Sequence, residues 1–270
     1  MSAPAPTPSR RVALVTGAAR RLGRAIALDL AAAGWDVAVH YHGSEAAAQQ
    51  CCAELRAAGA RAVALHAELG DADAARALPQ RVTDRLGRID AVVNNASLFE
   101  YDDATSFDAA RAARHHAVNV VAPVLLAQAL ALQLRTRGAR GCVVNLLDQK
   151  LWNPNPDHLS YTLSKAALRE ATTLLAQALA PTVRVLGVAP GLTLGSALLD
   201  DAALQRLQRA GPLGDGPHAV DIASAVRFCL DNPALTGSCL LVDAGQHLQS
   251  RGRDFAFDDP ARGPVSPPEP

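Results

Sequence analysis

The stretch VALVTGAARRLGRAIAL, residues 12–28, joins a short apolar run to a glycine-containing turn and then to an Ala- and Leu-rich segment of helical character. Gly17 and Gly23 bracket the turn. Backbone N–H groups in such a turn, together with the N-terminus of the helix that follows, can hold a pyrophosphate. A glycine-rich turn is a weak signal by itself, but its position at the first strand-to-helix junction strengthens this interpretation.

The same alternation of apolar runs and helical patterns continues along the chain. The apolar runs are mostly continuous rather than alternating, which is typical of strands buried on both faces. Repeated β-α-β units predict an α/β fold: a single doubly wound Rossmann-type domain, with a parallel sheet of about seven strands and helices on both faces. The predicted strands are 12–15, 37–41, 62–66, 91–94, 141–146, 183–189 and 239–242; the predicted helices are 24–33, 46–58, 73–86, 109–134, 160–179 and 220–230.

The two ends of the chain differ in composition from the rest. Residues 1–10 are predicted to be a flexible N-terminal tail, and residues 249–270 a Pro-rich C-terminal tail that is likewise poorly ordered or ordered only by a partner. Residues 11–248 contain no linker that would divide them, so they are predicted to form one domain.

Composition excludes several classes of function. Hydrophobic residues make up 49% of the 270, enough for a sizeable core, and 26 basic residues balance 26 acidic ones. That balance favours neither nucleic acid nor an anionic membrane as a partner. No apolar run approaches the roughly 18 residues of a membrane span, and no secretory signal begins the chain. The five cysteines lack metal-ligand spacing, so we expect no metal, reduced thiols and a cytoplasmic location.

The second predicted strand ends in the sequence HYHGS, which contains no acid. An acid at this point commonly binds the ribose 2′-OH of NAD, and it would repel a 2′-phosphate. His42, Ser44 and the nearby Arg20 could instead bind that phosphate, which favours NADP(H). The other interpretation is that His40 and His42 are ordinary strand residues; as a metal pair they lack a third ligand.

Tyr161 and Lys165 lie one helical turn apart, and Asp148 precedes the tyrosine by thirteen residues. A free tyrosine has a pKa of about 10, too high for an ideal proton donor near neutral pH. A lysine on the same helix face would lower that pKa, as would the positive charge of an oxidised nicotinamide.

Five motifs in this order resemble the short-chain dehydrogenase/reductase family: TGAARRLG, NNAS at 94–97, Asn119, Tyr161-x-x-x-Lys165 and APG at 189–191. The resemblance covers residues 11–248. It implies that Asn119 supports the catalytic lysine through a water, and that a substrate loop spans about 192–216 and is mobile until a ligand binds. The implied cofactor-binding residues are Gly17, Arg20, Arg21, Leu22, Gly23, His42, Ser44, Asn95, Ala96, Tyr161, Lys165, Pro190 and Gly191.

Two departures from the common family pattern are shared by one branch, the pteridine reductases, which reduce dihydromonapterin and dihydrobiopterin. Arg21 stands where a glycine is usual, and Asp148 stands where the catalytic serine is usual. The sequences HYHGS, NNASLF and APGLT also resemble that branch, although Gly43 replaces a residue that is often basic there. By this resemblance, Phe99 would sandwich a pterin against the nicotinamide. The implied substrate residues are Arg21, Ser97, Phe99, Trp152, Leu192 and Thr193.

The carboxylate of Asp148 distinguishes between two reactions. Reduction of a ketone builds negative charge on an oxygen, which an ionised Asp148 would repel. Reduction of a C=N bond adds a proton to nitrogen, and a carboxylate beside Tyr161 could help to relay it. The sequence therefore predicts an NADPH-dependent reductase of a C=N bond in a dihydropterin or a related pteridine or folate. Tyr161 is the predicted proton donor, assisted by Lys165, Asp148 and Asn119. Alternatively, Asp148 only ends its strand or caps the next segment.

Two other functions remain open. The first is an NADPH-dependent carbonyl reductase acting on a ketone or a 3-oxoacyl thioester, since a protonated Asp148 could donate a hydrogen bond as a serine does. The second is a non-catalytic NADP-binding protein, which the presence of Tyr161, Lys165 and Asn119 disfavours. The resemblance also implies a homotetramer or homodimer, and the apolar stretch 122–134 is typical of an interface helix.

Overall fold

A computed structural model of the chain describes residues 10–196 and 199–257, so most of both predicted tails lies outside the described residues. Seven strands form one sheet, in which all neighbours pair in parallel. Their order across the sheet is β3-β2-β1-β4-β5-β6-β7. The strands are β1 Val12–Val15, β2 Asp36–Tyr41, β3 Ala62–His66, β4 Ala91–Asn94, β5 Gly141–Leu146, β6 Val183–Pro190 and β7 Cys239–Val242.

Helices cover both faces of this sheet. On one face, side chains of the first, second and eighth helices pack on the strands, as Leu30, Leu55 and Val226 illustrate. The opposite face packs against Leu78 and Leu126, which belong to the third and fifth helices. The predicted Rossmann-type α/β fold is therefore confirmed. The helices are α1 Arg21–Ala32, α2 Glu45–Ala57, α3 Ala72–Leu86, α4 Ala109–His116, α5 Ala122–Thr136, α6 Leu159–Leu179, α7 Asp201–Arg209 and α8 Ala219–Asp231.

The strand order reverses direction between β1 and β4, where two halves of the sheet meet. In open parallel sheets, ligands bind in the crevice outside the carboxyl ends of the strands at such a switch point. The glycine turn follows β1, Asn95 follows β4 and Asp148 lies two residues beyond β5. The fold thus collects at one edge the motifs that the sequence spreads over 130 residues or more.

Three parts of the described chain differ from the sequence-based predictions. The predicted helix 109–134 is interrupted by a π-helical segment at Ala117–Val121. The predicted substrate loop contains helix α7, whose first turn is capped by the Asp200 side chain. The predicted flexible C-terminal tail is wrong for residues 253–257, because Phe255, Ala256 and Phe257 are buried against the domain.

The segment Ala109–Thr136 is long and apolar enough to cross a membrane by length and composition alone. However, 56% of its most apolar window is buried inside the protein. Side chains of α5 such as Leu126 and Leu130 are fully buried in the core beneath the sheet. A core helix therefore accounts for its composition, and the cytoplasmic location remains a prediction.

Candidate active site

The turn after β1 has the geometry of an anion-binding loop. Gly17 has a φ of +62°, a left-handed conformation that suits glycine. A Cβ at Gly23 would collide with the carbonyl oxygen of Gly17, so the helix can pack this closely only with glycine there. No side chain among the described residues caps the N-terminus of α1. Its first N–H groups are therefore available to a phosphate, which fits the predicted pyrophosphate site.

Buried polar side chains hold this turn in place. Asn95 donates from Nδ2 to the carbonyl oxygen of Thr16 at 2.8 Å and to that of Gly17 at 3.3 Å. The Thr16 hydroxyl accepts from the backbone N–H groups of Asn95 and Ala96, both at 2.9 Å. Asn95 and Ala96 thus link the end of β4 to the cofactor turn.

His40 is a further support of the turn that sequence reasoning treated only as a strand residue. The backbone N–H of Gly17 donates to His40 Nδ1 at 3.0 Å, so Nε2 carries the proton and donates to the carbonyl of Ala67 at 3.1 Å. Burial lowers the pKa of His40 to about 4, which keeps the ring neutral and able to accept this bond.

The end of the crevice beside β2 and β3, here called its outer end, holds an acid that was not predicted from the sequence. The carboxylate of Glu68, just beyond β3, lies 2.8 Å from His42 Nε2, and both side chains are exposed. Arg20 is exposed at the N-cap of α1, and Ser44 precedes α2 without capping it. The assignment of Arg20, His42 and Ser44 to a 2′-phosphate stays a prediction, and Glu68 is an additional charge at this end. Glu68 could have been found from the expected parallel pairing of β2 with β3, which brings the ends of these two strands together.

The predicted catalytic side chains meet at the inner end of the crevice. The Tyr161 hydroxyl donates to Asp148 Oδ2 at 2.8 Å. Asp148 Oδ1 accepts from the backbone N–H of Lys150 at 2.8 Å, which fixes the orientation of the carboxyl group. Lys165 Nζ lies 5.7 Å from the centre of the Tyr161 ring and donates to the carbonyl of Leu146 at 2.7 Å. Asp148 therefore both caps the short helix after β5 and contacts the proton donor.

The charges of this cluster differ from those of the same groups in water. Burial raises the pKa of Asp148, and burial lowers the pKa of Lys165 to about 8. Lys165 was predicted to lower the pKa of Tyr161, but the groups of the chain itself raise that pKa instead. Burial and the neighbouring Asp148 carboxylate raise the pKa of Tyr161 well above its usual value. Tyr161 therefore keeps its proton at neutral pH, but the groups of the chain itself make it a weaker acid than a free tyrosine.

Asn119 lies in the π-helical segment and has its amide fully engaged. Its Oδ1 accepts from the backbone N–H of Leu98 at 2.8 Å and from Ser97 Oγ at 3.2 Å. Its Nδ2 donates to Ser164 Oγ at 2.9 Å and to the carbonyl of Leu98 at 3.0 Å. Asn119 thus ties the loop after β4 to helix α6; a water-mediated role toward Lys165 remains a prediction.

A cavity of about 550 Å³ opens in front of the tyrosine and the carboxylate. Arg21 reaches over it with a φ of +52°, which explains why glycine is common at this position, and donates to the carbonyl of Gly195 at 2.8 Å. Phe99 is half-exposed at the cavity. The predicted residues that line it are Arg21, Leu22, Asn95, Ser97, Phe99, Asp148, Tyr161, Lys165, Pro190, Gly191, Leu192 and Thr193.

Trp152 lies outside this lining, contrary to the prediction. Its ring packs instead with the apolar cluster of Leu147, Leu168 and Ala189, and the Arg169 guanidinium lies 5.7 Å from its centre. The short helix at Gln149–Leu151 turns the chain so that Lys150, rather than Trp152, faces the cavity.

Several lining residues were not predicted from the sequence. Lys150 is buried and donates from Nζ to the carbonyl of Asp157 at 2.6 Å and to Asp254 at 3.3 Å. His158 lies at the start of α6, three residues before the tyrosine. Asp254 and Phe255 come from the segment that was predicted to be a loose tail. The available signal for this segment was the apolar triplet Phe-Ala-Phe at 255–257, in a stretch otherwise rich in charge and glycine.

Comparison with known proteins adds to this geometry. Residues 11–205 match the family model described as short chain dehydrogenase. The chain is 31% identical over 253 residues to 3-oxoacyl-[acyl-carrier-protein] reductase FabG of Staphylococcus aureus, covering 87% of this chain and 98% of that protein. It is 30% identical over 245 residues to L-rhamnose 1-dehydrogenase (NAD(P)(+)) of Sphingomonas sp., covering 88% and 96%.

Two similar solved structures are FolM alternative dihydrofolate reductase 1 from Brucella species, both with NADP. The Brucella canis protein is 39% identical, with a TM-score of 0.85 and coverage of 90% of this chain and 96% of that one. The Brucella suis protein is also 39% identical, with a TM-score of 0.86 and coverage of 91% and 98%. These likenesses confirm the resemblance to the pteridine reductase-like branch. With its glycine turn, its Tyr161–Lys165 pair and these matches, the chain belongs to the short-chain dehydrogenase/reductase family.

Proposed function

We propose that this oxidoreductase is an NADPH-dependent reductase of a C=N bond in a dihydropterin or a related pteridine or folate. The observation that carries the proposal is the 2.8 Å contact between the Tyr161 hydroxyl and the Asp148 carboxyl group. A carboxyl group at this point gives the proton donor a partner that can itself take up and deliver a proton.

The protonation state of Asp148 sets the direction of that contact. When Asp148 is ionised, it accepts the Tyr161 hydrogen. When Asp148 carries a proton, the carboxyl group donates to the phenol oxygen, and the Tyr161 hydroxyl is free to donate to a substrate nitrogen. Burial raises the pKa of Asp148, which favours this second arrangement. Tyr161 then gives its proton to the substrate and recovers one from Asp148.

The other lining residues suit a flat heteroaromatic ring. Phe99 is 53% exposed and lines the cavity, so part of its ring is accessible for stacking. The Arg21 guanidinium can donate to a ring carbonyl or nitrogen while it stays bonded to Gly195. Ser97, which also lines the cavity, adds a hydroxyl. These groups would orient the ring against the cofactor.

NADP(H) is the cofactor that fits the crevice. The uncapped N-terminus of α1 and the close packing at Gly23 suit the pyrophosphate. Bound NADPH would supply the hydride to the carbon next to the protonated nitrogen. The NADP in both FolM structures supports this cofactor. Pro190 and Gly191, at the end of β6, are the residues that would cover the nicotinamide.

Carbonyl reduction is the second candidate, and the same raised pKa of Asp148 favours it. A neutral carboxyl group can donate a hydrogen bond to a developing alkoxide, as a serine hydroxyl does. The similarity to FabG and to L-rhamnose 1-dehydrogenase is compatible with this chemistry.

A substrate panel tests the two candidates. Purified protein is offered NADPH with dihydrobiopterin, dihydromonapterin, dihydrofolate, a β-ketoester and a sugar lactone or ketone, and the loss of NADPH absorbance is followed. We expect turnover of at least one dihydropteridine with kcat/KM well above that of every carbonyl compound. Turnover confined to carbonyl compounds would replace the first proposal with the second.

A further inference from the structure

Residues 253–257, here called the C-terminal strap, contribute three residues to the lining of the cavity: Asp254, Phe255 and Ala256. The strap is a compact turn, in which the backbone N–H of Phe257 donates to the carbonyl of Asp254 at 2.8 Å. Its three apolar residues are each at least nine-tenths buried. The strap is therefore part of the folded cavity wall.

One end of the strap is fastened to the residues just before helix α6. The guanidinium of Arg253 donates to both carboxylate oxygens of Asp157, at 2.8 Å from Nη2 and 2.9 Å from Nε. The backbone N–H of Asp254 donates to the same carboxylate at 2.7 Å. Asp157 is 98% buried, so a forked, charge-assisted contact of this kind fixes orientation as well as position.

The strap reaches Phe99 through a stack of rings. Phe257 lies nearly parallel to His158, with ring centres 6.0 Å apart and an angle of 21°. His158 is in turn stacked on Phe99, with centres 4.1 Å apart and an angle of 23°. His158 Nδ1 lies 3.1 Å from the carbonyl of Glu100, which holds its ring against the loop after β4. His158 thus backs one face of Phe99, and the Tyr161 ring lies perpendicular to Phe99 with ring centres 4.7 Å apart.

The other side of the strap contacts the segment predicted to be the substrate loop. Phe255 packs in a cluster with Leu199, and with Ala203 and Leu207 of helix α7. The strap therefore joins α7 to the start of α6 along the cavity.

We propose that the C-terminal strap is a positioning element for substrate binding: through Phe257 and His158 it fixes the plane of the Phe99 ring on which the substrate stacks. The proposal rests on the proposed function for the identity of that substrate. Arg253, Phe257 and His158 act through Phe99 and are positioning residues. Because Phe99 would contact the ring in both the ground state and the transition state, loss of the strap should weaken substrate binding more than it slows the chemical step.

The kinetics of two strap variants test whether the strap acts on substrate binding rather than on the chemical step. Arg253→Met removes the guanidinium while it keeps the length of the side chain, and Phe257→Leu leaves the contact between Arg253 and Asp157 intact. We expect KM for the dihydropteridine to rise about tenfold in each, with kcat changed less than about threefold. NADPH affinity, measured by fluorescence titration, should stay unchanged. Arg253→Lys should recover part of the loss, because it keeps the charge without the fork.

Arg227→Met is the matched control. Arg227 donates to Asp29 at 2.8 Å and is exposed to a similar extent as Arg253, and this pair joins α8 to α1 away from the cavity. This variant should leave KM unchanged. An equal rise of KM in Arg227→Met, or an unchanged KM in both strap variants, would overturn the proposal.

A second measurement tests the strap proposal independently of the identity of the substrate. Hydrogen exchange of the backbone amides in 99–103 and 157–160 is followed in the wild type and in Arg253→Met without substrate. Faster exchange confined to these two segments supports the strap proposal, even if the wild type turns over no dihydropteridine. The absence of that turnover would defeat only the proposed function. Unchanged exchange in both segments would overturn the strap proposal whatever the substrate proves to be.

Discussion

At the scale of single residues, the chemistry depends on two titratable groups beside the tyrosine, Asp148 and Lys165. Lys165 has a pKa of about 8 because burial disfavours its charged form. Below that pH it is protonated and can assist Tyr161; above it the charge is lost. We therefore expect the reductive kcat/KM to fall as pH rises through about 8, as measured by initial rates in buffers of constant ionic strength. A flat profile to pH 10 would show that the charge of Lys165 does not assist the reaction.

Glu68 gives a second prediction at this scale. A carboxylate at the outer end of the crevice repels a 2′-phosphate, and its pairing with His42 also occupies a group that could bind that phosphate. Glu68→Gln should raise the ratio of kcat/KM for NADPH over NADH by about three- to tenfold, since exposed charges are partly screened. Glu170→Gln, which changes an exposed acid of α6 outside the predicted cofactor-binding residues, is the control. An unchanged ratio would place Glu68 away from the phosphate.

Residue types and spacing were enough to predict Tyr161, Lys165, Asp148 and the glycine turn, because each belongs to a motif that is local in sequence. Glu68, His40 and Lys150 were missed for a common reason. Their roles come from neighbours that are 15 or more residues away or from a backbone group, as with the N–H of Gly17 that donates to His40. No spacing rule within one segment reveals such a contact.

At the scale of elements, the N-terminus of α6 holds the tyrosine in place through a side chain from another segment. Asp102 is fully buried, and its Oδ1 accepts from the backbone N–H of Ser160 at 2.9 Å while its other oxygen accepts from the Ser160 hydroxyl. It caps the helix as an N-cap residue would, but from the loop after β4.

Removal of this cap should therefore be costly. Asp102→Ala leaves buried donors without partners, and we expect it to lower the free energy of unfolding by about 2–3 kcal/mol in urea titrations. Asp108→Ala removes the exposed N-cap of α4, where Oδ1 accepts from Arg111 N at 2.7 Å, and should cost about 1 kcal/mol. Equal losses in both variants would contradict the special role of Asp102.

The predicted strands agree with the observed ones to within a residue at each end, because continuous apolar runs between turns are unambiguous when helices cover both faces. The π-helical segment and helix α7 were not predicted. The π-helical turn needs the tertiary contacts of Asn119, and α7 lies in a polar stretch whose buried face rests on Leu199 and Phe255 rather than on the sheet.

At the scale of the whole molecule, apolar side chains remain exposed beside the core helices. Leu163 of α6 is 55% exposed, and Val121 lies beside it along a shallow surface cavity with Ala117. These exposed apolar side chains support the predicted homodimer or homotetramer. One face of α5 is buried in the core of its own protomer, so that face is not part of an interface. Leu163→Glu should shift the mass measured by light scattering toward the monomer, whereas Leu213→Glu, at an exposed site outside this surface, should not. A monomeric wild type would contradict the assembly.

The folded C-terminal strap also belongs to this scale. Composition predicted a poorly ordered tail, because proline, aspartate, arginine and glycine dominate the segment after Leu248. The structure instead buries Asp157 beneath Arg253 and packs Phe257 on His158, contacts that join segments 96 to 99 residues apart. The apolar triplet at 255–257 marks the segment, but no local pattern shows which distant residues it pairs or stacks with.

The most direct test of the central claim is the activity of Asp148→Ser, which restores the residue usual in the family. The wild type and the variant are assayed side by side for NADPH oxidation with a dihydropteridine and with a ketone panel. We predict that kcat/KM for the dihydropteridine falls by about 100-fold or more, the usual contribution of a positioned acid–base group. Pteridines that stay inert in both proteins, with ketone turnover that persists or rises in Asp148→Ser, would contradict the proton relay and leave a carbonyl reductase.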